Sequence, residues 1–202
     1  MRRAVLAIAA VSFTVLVGCT SVNGGTPTPV TTTKATGTST EASKPSSDGE
    51  APPVTAPELD LAKVGDPCAL LKADQLAARG ITKPGAKEND PVGPTCQFRP
   101  DDVGRGTSLG VTIMSKVDGL NDMYAHRAQY PVFEPTEVEG YPAVNGDVTD
   151  AKHGACSTAV AVAEGKAFMI QVDVNNQDSP DYSTPCSVSS AVAAIVVENL
   201  KG

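Results

Sequence analysis

The sequence predicts an α+β domain in which an antiparallel sheet of about five strands is covered by helices and stapled by two disulfides. Three observations carry this reading. Apolar residues alternate with polar or small ones at 109–113 and again through 156–174, as strands with one buried face require. Helical spacing governs the segments on either side. Four cysteines, at 68, 96, 156 and 186, fall within the same stretch, one near the start of each outer helix and one on each strand group.

Asp66-Pro67 places a cap before a proline at the first helical position, and Leu70, Leu71, Ala73, Leu76 and Ala77 continue a helical face to Gly80. A helix over 67–79 follows, with a break near Lys72. Cys96 and Phe98, then Leu109, Val111 and Ile113, mark two strands. Leu120, Met123 and Tyr124 restore helical spacing between Asp118 and Tyr130. Cys156, Thr158, Val160 and Val162 lead through Glu164-Gly165-Lys166 into Phe168, Ile170, Val172 and Val174, a strand hairpin. Thr184-Pro185 opens a last helix with Val188, Ala191, Val192, Ile195, Val196 and Leu200 on its apolar face. Strands linked by hairpins, with helices between the groups, favour an antiparallel sheet whose single apolar face the helices cover.

Upstream of this domain, Arg2 and Arg3 precede an apolar run from Ala4 to Val17 that is short for a permanent membrane span. Leu16-Val17-Gly18-Cys19 then has the order of a bacterial lipobox. The expectation is a signal peptide over residues 1–18 and a mature chain lipidated at Cys19, held at the extracytoplasmic face by its acyl chains. Residues 20 to 57 are Ser, Thr, Pro or Gly at 25 of 38 positions. With no apolar periodicity they read as a tether of roughly 35 Å root-mean-square reach, with the look of an O-glycosylated stalk over Thr26 to Thr40. The domain is thus expected over 58–202. Losing Arg2 and Arg3 takes the formal charge from -7 to about -9, which disfavours nucleic acid as a partner.

In an exported chain the four remaining cysteines are best read as two disulfides, though they allow three connectivities. Cys68 with Cys96 and Cys156 with Cys186 is the favoured pairing, because each bridge stays within one half of the domain and closes about 28 to 30 residues, worth ~3.5 kcal/mol in the chain-entropy model. A zinc site lacks any Cys-x-x-Cys pair. The repeated cap-Pro-Cys design at Asp66-Pro67-Cys68 and Thr184-Pro185-Cys186 also suits a thiol activated at a helix start, but no nearby partner cysteine supports a redox pair.

The run Gly65-Asp66-Pro67-Cys68 with Leu70-Leu71, the later Cys96, the Gly140-Tyr141-Pro142-Ala143 loop, and Cys156 and Cys186 together resemble an actinobacterial family of short lipoproteins classed as a domain of unknown function. The resemblance covers most of residues 60 to 200. Such proteins often carry a tryptophan two residues after the second cysteine, where this chain has Phe98. What the resemblance implies is an envelope location, the disulfide pattern and a non-catalytic default.

The candidate chemistry is sparse. His126 within a helix and His153 in a polar turn read as solvated, and no Gly-x-Ser-x-Gly motif presents a nucleophile. Asp101-Asp102 lies between Pro100 and Gly104 and reads as an exposed turn. Asp173, Asn175 and Gln177 imitate the start of a calcium loop, but the sixth position is not glycine and Thr184 stands where the bidentate Glu belongs, so a plain strand-to-helix connection is expected. No cofactor is expected, and no metal. Tyr141 and Pro142 are the remaining candidates, as a contact loop, against the reading of a turn whose ring packs under the sheet edge.

The functional expectation is a lipoprotein whose non-catalytic domain binds a small ligand, an envelope protein or a wall polymer. An accessory or structural subunit of a membrane or wall complex is the alternative, and a hydrolase or thiol oxidoreductase is the third reading. A ligand-binding module should carry a pocket of several hundred cubic ångströms. An accessory subunit should be filled solid and expose an apolar patch.

Overall fold

The computed structural model describes residues 49–147 and 153–202, all within one compact unit. The lipobox, the Cys19 lipidation site and the tether up to residue 48 lie outside the described residues. Seven strands form one antiparallel sheet: β1 (Ala86–Asp90), β2 (Gly93–Phe98), β3 (Thr107–Ile113), β4 (Val132–Val138), β5 (Tyr141–Asp147), β6 (Ala155–Ala163) and β7 (Lys166–Val174). Their order across the sheet is β1-β2-β3-β7-β6-β5-β4. Two meanders meet at the β3–β7 pair. The chain leaves β3 in the middle, crosses one face through helix α3 (Gly119–Ala125), starts again at the far edge with β4, and steps back to the centre.

The strand number corrects the expectation of about five, and the strands that were not foreseen have physical reasons. β1 is an exposed edge of charged and polar residues with no apolar content to alternate. β4 is the other edge and carries Glu134, Pro135 and Glu137 facing solvent. β5 is covered on both sides, so Ala143 and Val144 are both buried and no alternation appears. Glu139-Gly140 joins β4 to β5 as a two-residue turn with positive φ at both positions, 51° and 86°. Tyr141-Pro142-Ala143 is therefore the head of a strand and not a loop.

The helices lie on both faces, which corrects the single covered face. Alternation along the strands puts Cys96, Phe98, Leu109, Val111, Tyr141, Ala143, Cys156, Val160, Phe168 and Ile170 on one side, under helix α4 (Pro185–Lys201), as the main core. Val144, Ala159, Ala161 and Ala167 point the other way and pack with Leu120, Met123 and Tyr124 of α3. The buried stripe of α4 is Ser189, Val192, Ala193, Val196 and Val197, rotated from the expected one: Ala191 is exposed and Val188 and Ile195 are only half-buried. The helix is apolar almost all round, so periodicity leaves its rotation open. Polar contacts fix it: Thr158 of β6 is fully buried and hydrogen-bonds Ser189 Oγ at 2.6 Å and Asn145 Oδ1 at 2.7 Å, while Ser190 Oγ donates to the same Asn145 oxygen at 3.0 Å.

The expected helix over 67–79 is two short pieces, a 3-10 turn at Pro67–Ala69 and α2 (Ala73–Ala77), after a single capped turn, α1 (Leu61–Val64). Leu70 and Leu71 are buried in the break. The expected helix between Asp118 and Tyr130 likewise ends at Ala125, and a 3-10 turn at Arg127–Gln129 follows. The disulfides join Cys68 to Cys96 and Cys156 to Cys186, so each ties the start of a helical segment to a strand. Packing also begins before residue 58. Ala51 and Val54 rest against the α3 side, Val54 and Ala56 against the main core, and the Pro57 carbonyl accepts the Tyr141 hydroxyl at 2.6 Å.

Candidate functional site

The α3 face of the sheet is covered over only half of its length. Leu120, Met123 and Tyr124 sit above the end nearest the β6–β7 turn, around Ala159, Ala161 and Ala167. Toward the opposite end the face is open, and a groove of about 720 Å³ lies there, lined from β2, β3, β7, β6 and β5 and walled by Met123 and Tyr130.

One row of the sheet runs through this groove. Strand pairing aligns Gln97 with Gly110, Gly110 with Gln171, Gln171 with Ser157, and Ser157 with Gly146. Each residue occupies the position opposite to the core side of its strand, so their side chains share this face. Gly110 and Gly146 leave the floor low. A β-carbon at Gly110 would stand 2.9 Å from Gln171 Oε1 and 3.1 Å from Gln97 Nε2, so both carboxamides converge over the glycine from strands that lie on either side of β3. Gly146 gives room in the same way to Met123, whose Cε would be 3.0 Å from an added β-carbon.

The next row, Thr95–Thr112–Met169–Ala159, turns the floor apolar toward α3, and Thr95 and Thr112 satisfy one another at 2.7 Å. On the other side Ser108 pairs with Asp173, which pairs with Ala155. Asn175, at the end of β7, donates weakly to the Gly106 carbonyl at 3.3 Å and to Ser108 Oγ at 3.4 Å. Glu88, Arg99 and Asp173 are exposed at the rim. Burial raises the Tyr130 hydroxyl above its ordinary range, with Asp122 adding to the effect, so the wall presents a neutral phenol. Val103, 53 % exposed, also lines the groove and is the large hydrophobic residue that stands out among the described residues.

A chain whose sheet carries such a floor is not assigned by its geometry alone; comparison with known families places it. A family described as a protein of unknown function, DUF3558, matches residues 14–199. The chain belongs to DUF3558. No curated protein and no solved structure matches it. Membership of DUF3558 leaves the chemistry of the domain to be argued from its residues.

The residues singled out by sequence reasoning are scattered over this DUF3558 domain. Tyr141 is 1 % exposed and its ring belongs to the main core, so it offers no aromatic contact surface, and Pro142 is half-buried beside it. His126 ends α3, with Nδ1 2.7 Å from the Asp122 carbonyl, and His153 heads β6 from an exposed turn. Asp101 accepts the Thr82 hydroxyl and Asp102 caps Gly104 in an exposed turn. In the 173–181 connection Asn176 Oδ1 accepts from the Asp178 N–H, and Ser179 caps the 3-10 turn Pro180–Ser183. Among the described residues no three His, Cys, Asp or Glu side chains converge as a metal site. Among them, too, no helix is long and apolar enough to cross a membrane.

Sequence reasoning missed Gln97, Gly110, Gln171 and Ser157. The signal was present: each is the polar or side-chain-free position between two buried neighbours, and only the strand register shows that all four share one row.

Proposed function

We propose that the protein is a lipid-anchored component of a bacterial envelope, attached through acylated Cys19, whose domain binds a ligand in the groove over Gly110 and performs no covalent chemistry. The stretch that follows Cys19, up to the residues that pack on the domain from Ala51, serves as the spacer. The observation that supports the reading is the half-covered sheet face: the α4 side is filled by the core, whereas the α3 side leaves about 720 Å³ above a floor of carboxamides, hydroxyls and glycines. That volume lies within the usual range for ligand sites. Among the described residues Val103 stands alone as an exposed large hydrophobic residue, which weighs against an accessory subunit docked through apolar surface. A second recess of about 580 Å³ between α1 and the end of β3, lined by Leu59, Leu61, Ile113 and Met114, is mostly apolar and has no carboxamide on its floor.

The groove part of this reading is tested by hydrogen–deuterium exchange on the full chain in mild detergent, with and without a delipidated envelope extract of its host. Protection confined to β2, β3, β7 and the start of β6, and abolished by Gly110→Val, is expected. Protection that persists in Gly110→Val would place the ligand elsewhere. The anchor is tested separately, since Cys19→Ala should move the protein from the membrane to the soluble fraction.

A further inference from the structure

Resting on the ligand-binding reading above, we infer that the groove takes a neutral, hydroxyl-rich ligand, an oligosaccharide chain, held by the paired carboxamides of Gln97 and Gln171. The backbone of the floor is unavailable. β2, β3, β7 and β6 are interior strands whose N–H and C=O groups serve the ladders on both sides, so recognition must come from side chains. This disfavours an extended peptide, which gains its affinity by adding to a free strand edge, and the free edges here are β1 and β4.

A carboxamide both donates and accepts, which matches a hydroxyl group doing the same. Gln97 and Gln171 reach in from the strands on either side of β3 and their tips close over Gly110, so the pair presents one joined donor and acceptor surface to neighbouring hydroxyls on one edge of a ring. Ser157 and Ser108 extend the hydroxyl row. Met169, Met123 and Tyr130 supply the apolar wall against which the C–H face of a sugar ring packs.

Charge argues the same way. Glu88, Asp173 and the buried Asp147 against the one base Arg99 give the groove an excess of acid, which disfavours a polyanion such as nucleic acid or an acidic polymer. A lipid chain would leave the carboxamide floor without partners, at the cost of buried unpaired polar groups.

The test is saturation-transfer NMR on the full chain in mild detergent, against neutral tetrasaccharides of glucose, N-acetylglucosamine, mannose and arabinose. Tetragalacturonate and tetra-alanine serve as acidic and peptide comparators. Binding of a neutral member is expected, weakened roughly five- to tenfold by Gln97→Ala and by Gln171→Ala and lost in Gly110→Val. Both glutamine side chains are only half-buried, so those two variants keep the fold even if the valine variant does not, and melting temperature checks each. Silence from every neutral member, or sugar binding indifferent to the glutamines, overturns the inference. Binding of a comparator alone, lost with the same substitutions, also overturns it while leaving the groove a binding site. Silence from the whole panel together with no extract-induced protection in the exchange experiment removes the ligand-binding reading as well.

Discussion

Single side chains show where stability and accessibility part company. Tyr141 combines a buried ring with a hydroxyl bonded to the Pro57 carbonyl, so it fastens the segment entering the domain to the head of β5. Tyr141→Phe should cost about 1 kcal/mol and Tyr141→Ala about 3–5 kcal/mol in urea unfolding, with ligand binding in the groove retained in both. Thr158→Val removes the hydroxyl that Asn145 and Ser189 share in the core and should cost about 1–3 kcal/mol. Asp66 makes a prediction about pH. Lys87 Nζ at 2.7 Å, and then the Cys68 N–H, hold its carboxyl below the usual carboxylate range. A lowered folded-state pKa means that its contribution is complete above the ordinary carboxylate value and fades as pH falls through the lowered one. The difference in melting temperature between wild type and Asp66→Asn should therefore be small and constant near neutrality and shrink below about pH 4, since the pair is exposed. A difference that grows in acid would contradict the assignment.

At the scale of elements, the disulfides do for short helices what helix length does not. The Pro67–Ala69 turn and α2 are too short to persist alone, and Cys68–Cys96 pins their start to β2, 28 residues away in sequence. The far end is held by a reciprocal amide pair, Gln75 with Asn199 of α4, at 2.8 and 3.0 Å. Replacing Cys68 and Cys96 together by alanine should lower stability by about 3 kcal/mol, read from the denaturation midpoint, with the Cys156–Cys186 bridge keeping α4 on the sheet. Strands with apolar residues on the core face and small or polar ones on the other, such as β3 and β7, were legible because alternation reports them. β5 was not, since both of its faces are covered, and β1 and β4 were not, since edge strands avoid apolar residues. Glu139-Gly140 was a readable turn, as informative as Glu164-Gly165, but the strand it follows lacks the pattern that would have drawn attention to it.

For the whole molecule, the consequence of the topology is a separation of duties. The α4 face carries the larger core and both cystines, and the α3 face carries a short helix that leaves half the sheet open. Residues 51–57 enter beside α3 and the β6–β7 turn, the end of the sheet away from the groove, as when Ala51 N–H donates to Asn121. The spacer we propose therefore joins the domain away from the binding floor. The floor was not legible as one site for a reason of scale: Gln97, Gly110, Gln171 and Ser157 are far apart in the chain, and each alone is an ordinary polar or glycine position in a strand. Whether this floor holds a ligand is read most directly by native mass spectrometry of the full chain and of Gly110→Val, each purified gently from its own host. Added mass that leaves the wild type on denaturation and is missing from the variant is the expected result; bare protein in both, or the same added mass on both, would contradict it.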